Sequence, residues 1–96
     1  MFKALDPLLH QQLRLSIVSL LASVESADFN FLLEKTEATK GNLSVQISKL
    51  KDAEYLEINK SFKNNYPHTT CKLTQKGRKA FEAYVEAIQE YLKPNN

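Results

Sequence analysis

The chain has 96 residues, 43% of them apolar and 25% charged, with two glycines, three prolines and a single cysteine. Such a length supports one modest core, so residues 1–96 are expected to form one domain. A lone Cys71 excludes a disulfide framework within the chain and fits a reducing compartment.

The net charge of +2 conceals an uneven distribution. Residues 39–79 hold nine cations against three anions, a net +6, while residues 1–38 and residues 80–96 each come to −2. A basic centre between acidic ends is the footprint of a polyanion-binding surface, because clustered Lys and Arg make phosphate contacts. A solvated lysine-rich face would share that composition.

Taken in chain order, Asp6-Pro7 is a helix start, a side-chain cap followed by a proline whose missing N–H costs nothing there. Leu9, Leu13, Ile17, Leu20, Leu21 and Val24 form an apolar stripe, which predicts a first helix over about residues 7–24. Its apolar run at residues 15–24 is too short to span a bilayer and is broken by Ser16, Ser19 and Ser23. It also begins too far into the chain for a signal sequence. A soluble cytoplasmic protein without a membrane partner is expected.

Residues 25–28 read as a connection, with Asp28 capping a second helix over residues 29–36. There Phe29, Leu32 and Leu33 face inward, while Phe31 falls off the stripe. After a turn at Glu37-Ala38, Thr39 caps a third helix over residues 39–53, whose Leu43, Ile47 and Leu50 make one apolar stripe. The opposite face carries Gly41, Asn42, Val45, Ser48 and Lys49. A small apolar contact, an amide, a hydroxyl, a cation and a glycine suit a surface lying in the major groove of DNA.

Residues 55–62 then alternate as a strand, with Leu56, Ile58 and Phe62 on one side. Residues 63–68 read as a polar loop whose Asn64-Asn65 pair tolerates left-handed backbone angles. Residues 69–74 alternate again, giving a hairpin over residues 55–74. Thr74 caps a last helix over residues 75–92, ended by Pro94. Three helices, a hairpin and a further helix predict an α+β, mainly helical fold: a winged helix-turn-helix with an added C-terminal helix. A compact winged helix does not need that last helix to close its core. Its stripe of Phe81, Tyr84, Val85, Ile88, Tyr91 and Leu92, together with Phe2 and Leu5, is the expected homodimer interface.

These residues resemble a known family. The run GNLS–KL–A–Y in residues 41–55 and the run LTxxGRxAF in residues 73–81 are similar to single-domain winged helix-turn-helix transcriptional regulators related to the MarR and ArsR groups. The likeness covers nearly the whole chain. It implies a homodimer on a roughly palindromic operator, with recognition helices in successive major grooves and wings along the flanking backbone or minor groove. The family usually has glycine in the helix–helix turn and again before the first wing strand, where this chain has Glu37 and Glu54. Wings of this class often carry arginine, suited to a narrow minor groove. Here the loop has Lys63, Asn64, Tyr66 and His68, which favours phosphate contact.

The expected partner is therefore double-stranded DNA. Asn42, Val45 and Lys49 are the candidate groove contacts. Thr39 and Lys40 stand at a helix start that attracts phosphate, and Ser44 and Gln46 flank the buried stripe as candidate phosphate contacts. Lys60, Lys63 and His68 supply the wing. His68-x-x-Cys71 is the only arrangement of metal-ligand types, and it lacks further ligands nearby, so no metal and no cofactor are expected. Neither a glycine-rich phosphate loop nor a Ser/His/Asp set is found, so no enzyme is expected. A small-molecule effector between helices one and four would suit the apolar lining, as would plain packing. A winged helix that docks a protein partner through helix three or the last helix, suggested by exposed Phe31, Val45 and Tyr66, is the alternative.

Overall fold

Capping side chains set where all four helices begin, and three of the caps are those that the sequence predicts. In the computed structural model, which describes residues 2–94, the chain runs α1 (Gln12–Ala22), β1 (Ala27–Asp28), α2 (Phe29–Thr36), α3 (Lys40–Asp52), β2 (Leu56–Lys63), β3 (Tyr66–Leu73) and α4 (Gln75–Leu92). Asp28 Oδ1 accepts from the Phe31 N–H at 2.7 Å, Thr39 Oγ1 from Asn42 at 3.2 Å, and Thr74 Oγ1 from Gly77 at 3.0 Å. Each satisfies a donor that the helix leaves free, worth about 1 kcal/mol. The result is the α+β, mainly helical winged helix that the pattern predicts.

The first helix starts later than Asp6-Pro7 suggests. Asp6 Oδ1 does accept from the Leu8 N–H at 2.9 Å, and the His10 N–H donates to the Asp6 carbonyl at 2.8 Å, but this closes a single turn. Gln11 is extended and caps α1 instead, its Oε1 accepting from the Arg14 N–H at 2.7 Å. The break seats Leu9, fully buried, in the core beside Ile17, Val18 and Leu21. At its other end α1 stops at Ala22, where Arg78 Nη1 donates to the Ala22 carbonyl at 3.1 Å. That contact satisfies one of the carbonyls that have no partner within the helix.

Residues 25–28 are more than a connection. Ala27 and Asp28 form β1, antiparallel to β3 at Cys71 and Thr70, and complete a sheet of order β1-β3-β2. Strands β2 and β3 pair in register from Leu56↔Leu73 to Lys63↔Tyr66. Only Asn64 and Asn65 lie between them, at φ 53° and 65°, a two-residue turn whose left-handed angles match the twist of the strands. The expected six-residue loop is thus mostly strand. Pro67 is tolerated because β1 reaches only Thr70 and Cys71, so no neighbour needs the missing N–H. Phe62 corrects the alternation argument: it is 78% exposed. An eight-residue strand outruns the core, so its inward side meets nothing past Ile58.

Glu37 and Glu54, which stand where the resembling family has glycine, adopt φ 56° and 65°. Both keep the left-handed geometry despite their Cβ, at a cost of about 1 kcal/mol each. Glu37→Gly and Glu54→Gly are each expected to raise stability by about 0.5–1 kcal/mol, the relief being partly offset by glycine's extra unfolded-state entropy. Urea unfolding midpoints would check this, and a lowered midpoint would show that these glutamates are not strained.

Cys71 is fully buried in the sheet, and burial pushes its thiol from 9.0 up to about 11. A pKa raised in the folded state gives stability that is complete below about pH 9 and is lost as pH climbs through about 11. Urea midpoints at pH 8 and pH 10.5 should therefore fall further for the native chain than for a Cys71→Ala variant, in which this contribution is absent. Equal slopes would refute the assignment. Among the described residues, no helix is long and apolar enough to cross a membrane.

Candidate nucleic-acid interface

Helix α3 is held by one side only. Leu43, Ile47 and Leu50 are buried, and Gln46 lies with them at 8% exposure. The other flank presents Gly41, Asn42, Ser44, Val45, Ser48 and Lys49 to solvent, with Val45 half exposed at 50%. A Cβ built on Gly41 would meet nothing within 4 Å, so the chain's own fold does not need glycine there. Thr39 and Lys40 are exposed at the N-terminus of the helix, where free N–H groups and the dipole favour an anion.

The wing continues this surface. Ser44 and Ser48 share a cleft of about 350 Å³ with Ile47, Ile58, Lys60, Thr69 and Phe29, so the cation of β2 and the hydroxyls of α3 face one space. Lys63 is exposed at the hairpin tip. His68 is only half-buried and lies lower, beside Asp28, Phe29 and Asn30, and its odd spacing from Cys71 puts the two on opposite faces of β3. Phe62 and Tyr66, 78% and 74% exposed, add two aromatic rings near the tip.

Charge follows the same geometry. Among the described residues the one ion pair within 4 Å joins Lys3 to Glu86 at 3.6 Å, and neither residue belongs to the basic block. Lys40, Lys49, Lys60 and Lys63 therefore keep their charge unpaired at the surface. Two block cations have local roles instead: Arg78 caps α1, and Lys76 sits over the Tyr55 ring at 5.9 Å. The Tyr55 hydroxyl donates to Asp6, and burial, then that bond and the Asp6 charge, push it up to about 12. This ties the N-terminal segment to the start of the sheet.

Gln46 corrects the expectation of a phosphate contact. Its Oε1 accepts from Arg14 Nη1 at 2.6 Å and its Nε2 donates to Asn42 Oδ1 at 3.0 Å, so it belongs to the interior. One signal for this was in the sequence: Asn42 and Gln46 are four residues apart and meet on one helix face. Arg14 could not have been found that way, because it is 32 residues distant from Gln46. Ser48, absent from the candidate contacts, reaches the cleft because it lies one helical turn after Ser44.

The surface of α4 also divides. Tyr84 is 7% exposed and its hydroxyl lies 2.9 Å from His10 Nδ1, so it serves the chain's own core rather than an outer face. The last helix therefore does help to close the core. Leu5, Phe81 and Ile88 are half-buried against that core. Phe2, Val85, Tyr91 and Leu92 remain exposed at 47%, 37%, 46% and 73%, with Phe2 stacked on Tyr91 at 4.8 Å between ring centroids.

Comparison with known proteins agrees with this fold. The family model described as winged helix DNA-binding domain matches residues 13–92. The uncharacterized protein MJ0432 of Methanocaldococcus jannaschii is 38% identical over 80 residues, covering 83% of this chain and 87% of that protein. A transcriptional regulator homologue from Pyrococcus horikoshii superimposes with a TM-score of 0.85 at 21% identity, over 91% of this chain and 86% of the other. NMB1585, a MarR family regulator from Neisseria meningitidis, gives 0.64 at 18% identity, over 85% of this chain and 57% of the other. The chain thus belongs to the family of winged helix DNA-binding domains, and its fold is the one that MarR-family regulators share.

Proposed function

We propose that the protein binds double-stranded DNA in a sequence-specific manner as a homodimeric transcriptional regulator. Helix α3 enters the major groove and the β2–β3 wing lies on the flanking backbone. The observation that carries this reading is the uncovered flank of α3, where Gly41, Asn42, Ser44, Val45, Ser48 and Lys49 stand in solvent beside unpaired cations. Asn42, Val45 and Lys49 address the groove. Thr39, Lys40, Ser44, Lys60 and Lys63 address phosphate, with Ser48 added through the shared cleft. Dimerisation would use the exposed residues Phe2, Val85, Tyr91 and Leu92 of the N-terminal segment and α4.

Titration of a labelled duplex at two salt concentrations tests the reading. Affinity should fall about a hundredfold or more between 50 and 200 mM salt for several phosphate contacts. Salt-independent binding, or none at low salt, would refute it. Gly41→Ala separates the binding role from the structural one. It should raise stability by about 0.5–1 kcal/mol, since alanine favours a helix and meets no obstacle. The same methyl should weaken DNA binding if the backbone approaches the duplex closely. An unchanged affinity would place Gly41 outside the contact.

A second reading has its own observation. Phe62 and Tyr66 stand exposed near the wing tip on opposite faces of the hairpin, and exposed aromatic rings also anchor protein partners. Replacing both with serine should then abolish partner capture and spare DNA affinity, whereas a DNA role would show the reverse.

A further inference from the structure

Arg14 carries hydrogen-bond donors only, and it is held at two points. Its Nε donates to the Leu8 carbonyl at 2.5 Å and its Nη1 to Gln46 Oε1 at 2.6 Å. A guanidinium cannot accept, so the Gln46 amide has one allowed orientation, oxygen toward Arg14 and nitrogen away. Gln46 Nε2 then donates to Asn42 Oδ1 at 3.0 Å. With its oxygen engaged from within, Asn42 turns its nitrogen outward from an exposed position on α3. The two ends of an amide are alike in shape, and here the donor at the base of the chain distinguishes them.

We propose that this relay makes Asn42 a donor-only contact that selects an acceptor-bearing base edge in the major groove, guanine before all others. The inference rests on the DNA-binding reading above. Guanine offers two acceptors, N7 and O6, to the paired N–H groups of one amide nitrogen. Cytosine offers only a donor there, and the two-bond adenine contact of asparagine needs the amide oxygen to face the base, whereas here it is turned toward Gln46. Arg14 and Gln46 are thereby positioning residues: they touch no base, yet they decide which end of Asn42 does.

Reversing the relay is a single-atom change. A Gln46→Glu carboxylate still accepts from Arg14, a part-buried cation with no carboxylate within 4 Å among the described residues, so the fold should hold. Its second oxygen cannot donate, so Asn42 must rotate to donate inward and present Oδ1 outward. Duplexes selected from a random pool should then change from guanine to cytosine or adenine at one base position, with the base ratio there moving about tenfold. Asn42→Asp leaves the relay intact and presents an acceptor directly. It should move the same position the same way, with lower overall affinity from its charge.

Side-chain amide exchange by NMR reads the relay without DNA. In the native protein one Gln46 Nε2 proton should exchange slowly and both Asn42 protons fast, and in Gln46→Glu one Asn42 proton should become protected. Protected Asn42 protons in the native chain would overturn the relay. Variants that weaken all duplexes alike, or leave the selected sequence unchanged, would overturn the base selection. A native protein that binds no duplex at all would instead overturn the proposed function, with the exchange data still deciding the relay.

Discussion

Replacing Gly77 with alanine is expected to destabilise the protein by about 2–4 kcal/mol and lower its melting temperature by about 10–20 °C. Gly77 is buried in the first turn of α4, where a Cβ would stand 2.3 Å from the Tyr55 carbonyl oxygen and 2.9 Å from Leu73 Cδ1. The carbonyl cannot move aside freely, because it already accepts from the Thr74 N–H at 3.0 Å and Tyr55 N–H is itself bonded to the Leu50 carbonyl at 2.9 Å. Relief requires α4 to lift from the start of the sheet, which also pulls on Tyr84 and Ala87 in the core. Alanine's better helix propensity, about 1 kcal/mol, offsets only part of this. Thermal unfolding followed by circular dichroism measures it, and an unchanged melting temperature would contradict the close approach. The same substitution at Gly41, in open space, should have the opposite sign.

Val45→Glu should abolish DNA binding by about a hundredfold or more while leaving the fold intact. Val45 is 50% exposed on the uncovered flank of α3, so little apolar burial is lost, and glutamate favours a helix slightly more than valine. On the proposed binding mode a carboxylate at the centre of this flank would meet phosphates and groove edges of like charge, which costs several kcal/mol. The paired measurement is a urea midpoint and a duplex titration on the same preparation. A normal midpoint with normal affinity would mean that this flank never meets DNA, and the protein-docking reading would then gain. Lys49→Ala should cost less and act mainly on sequence preference.

The helices were legible because their signals are local. Asp28, Thr39 and Thr74 stand next to the helix they cap, and the stripe of Leu43, Ile47 and Leu50 repeats at helical spacing within one element. The Asn64-Asn65 turn was legible as left-handed for the same reason, although its short length was not, because register depends on the partner strand. Strand β1 has no local signal: two residues carry no periodicity, and Ala27 and Asp28 become a strand only when β3 lies beside them. Asp6-Pro7 was a sound cap signal for a turn, but the demand to bury Leu9 broke the helix before it could continue.

By itself the sequence determined the order of the four helices and the hairpin, the basic middle of the chain and the inner stripe of α3, since composition, capping and spacing act over a few residues. Only the tertiary structure decided which polar groups face outward. Gln46 looks like a phosphate contact from its polarity and Tyr84 like part of an outer apolar face, yet Arg14 and His10, 32 and 74 positions away, draw them inward. The physical reason is that a buried amide or hydroxyl must find a partner, and that partner is supplied by whichever distant side chain the fold brings within hydrogen-bond reach.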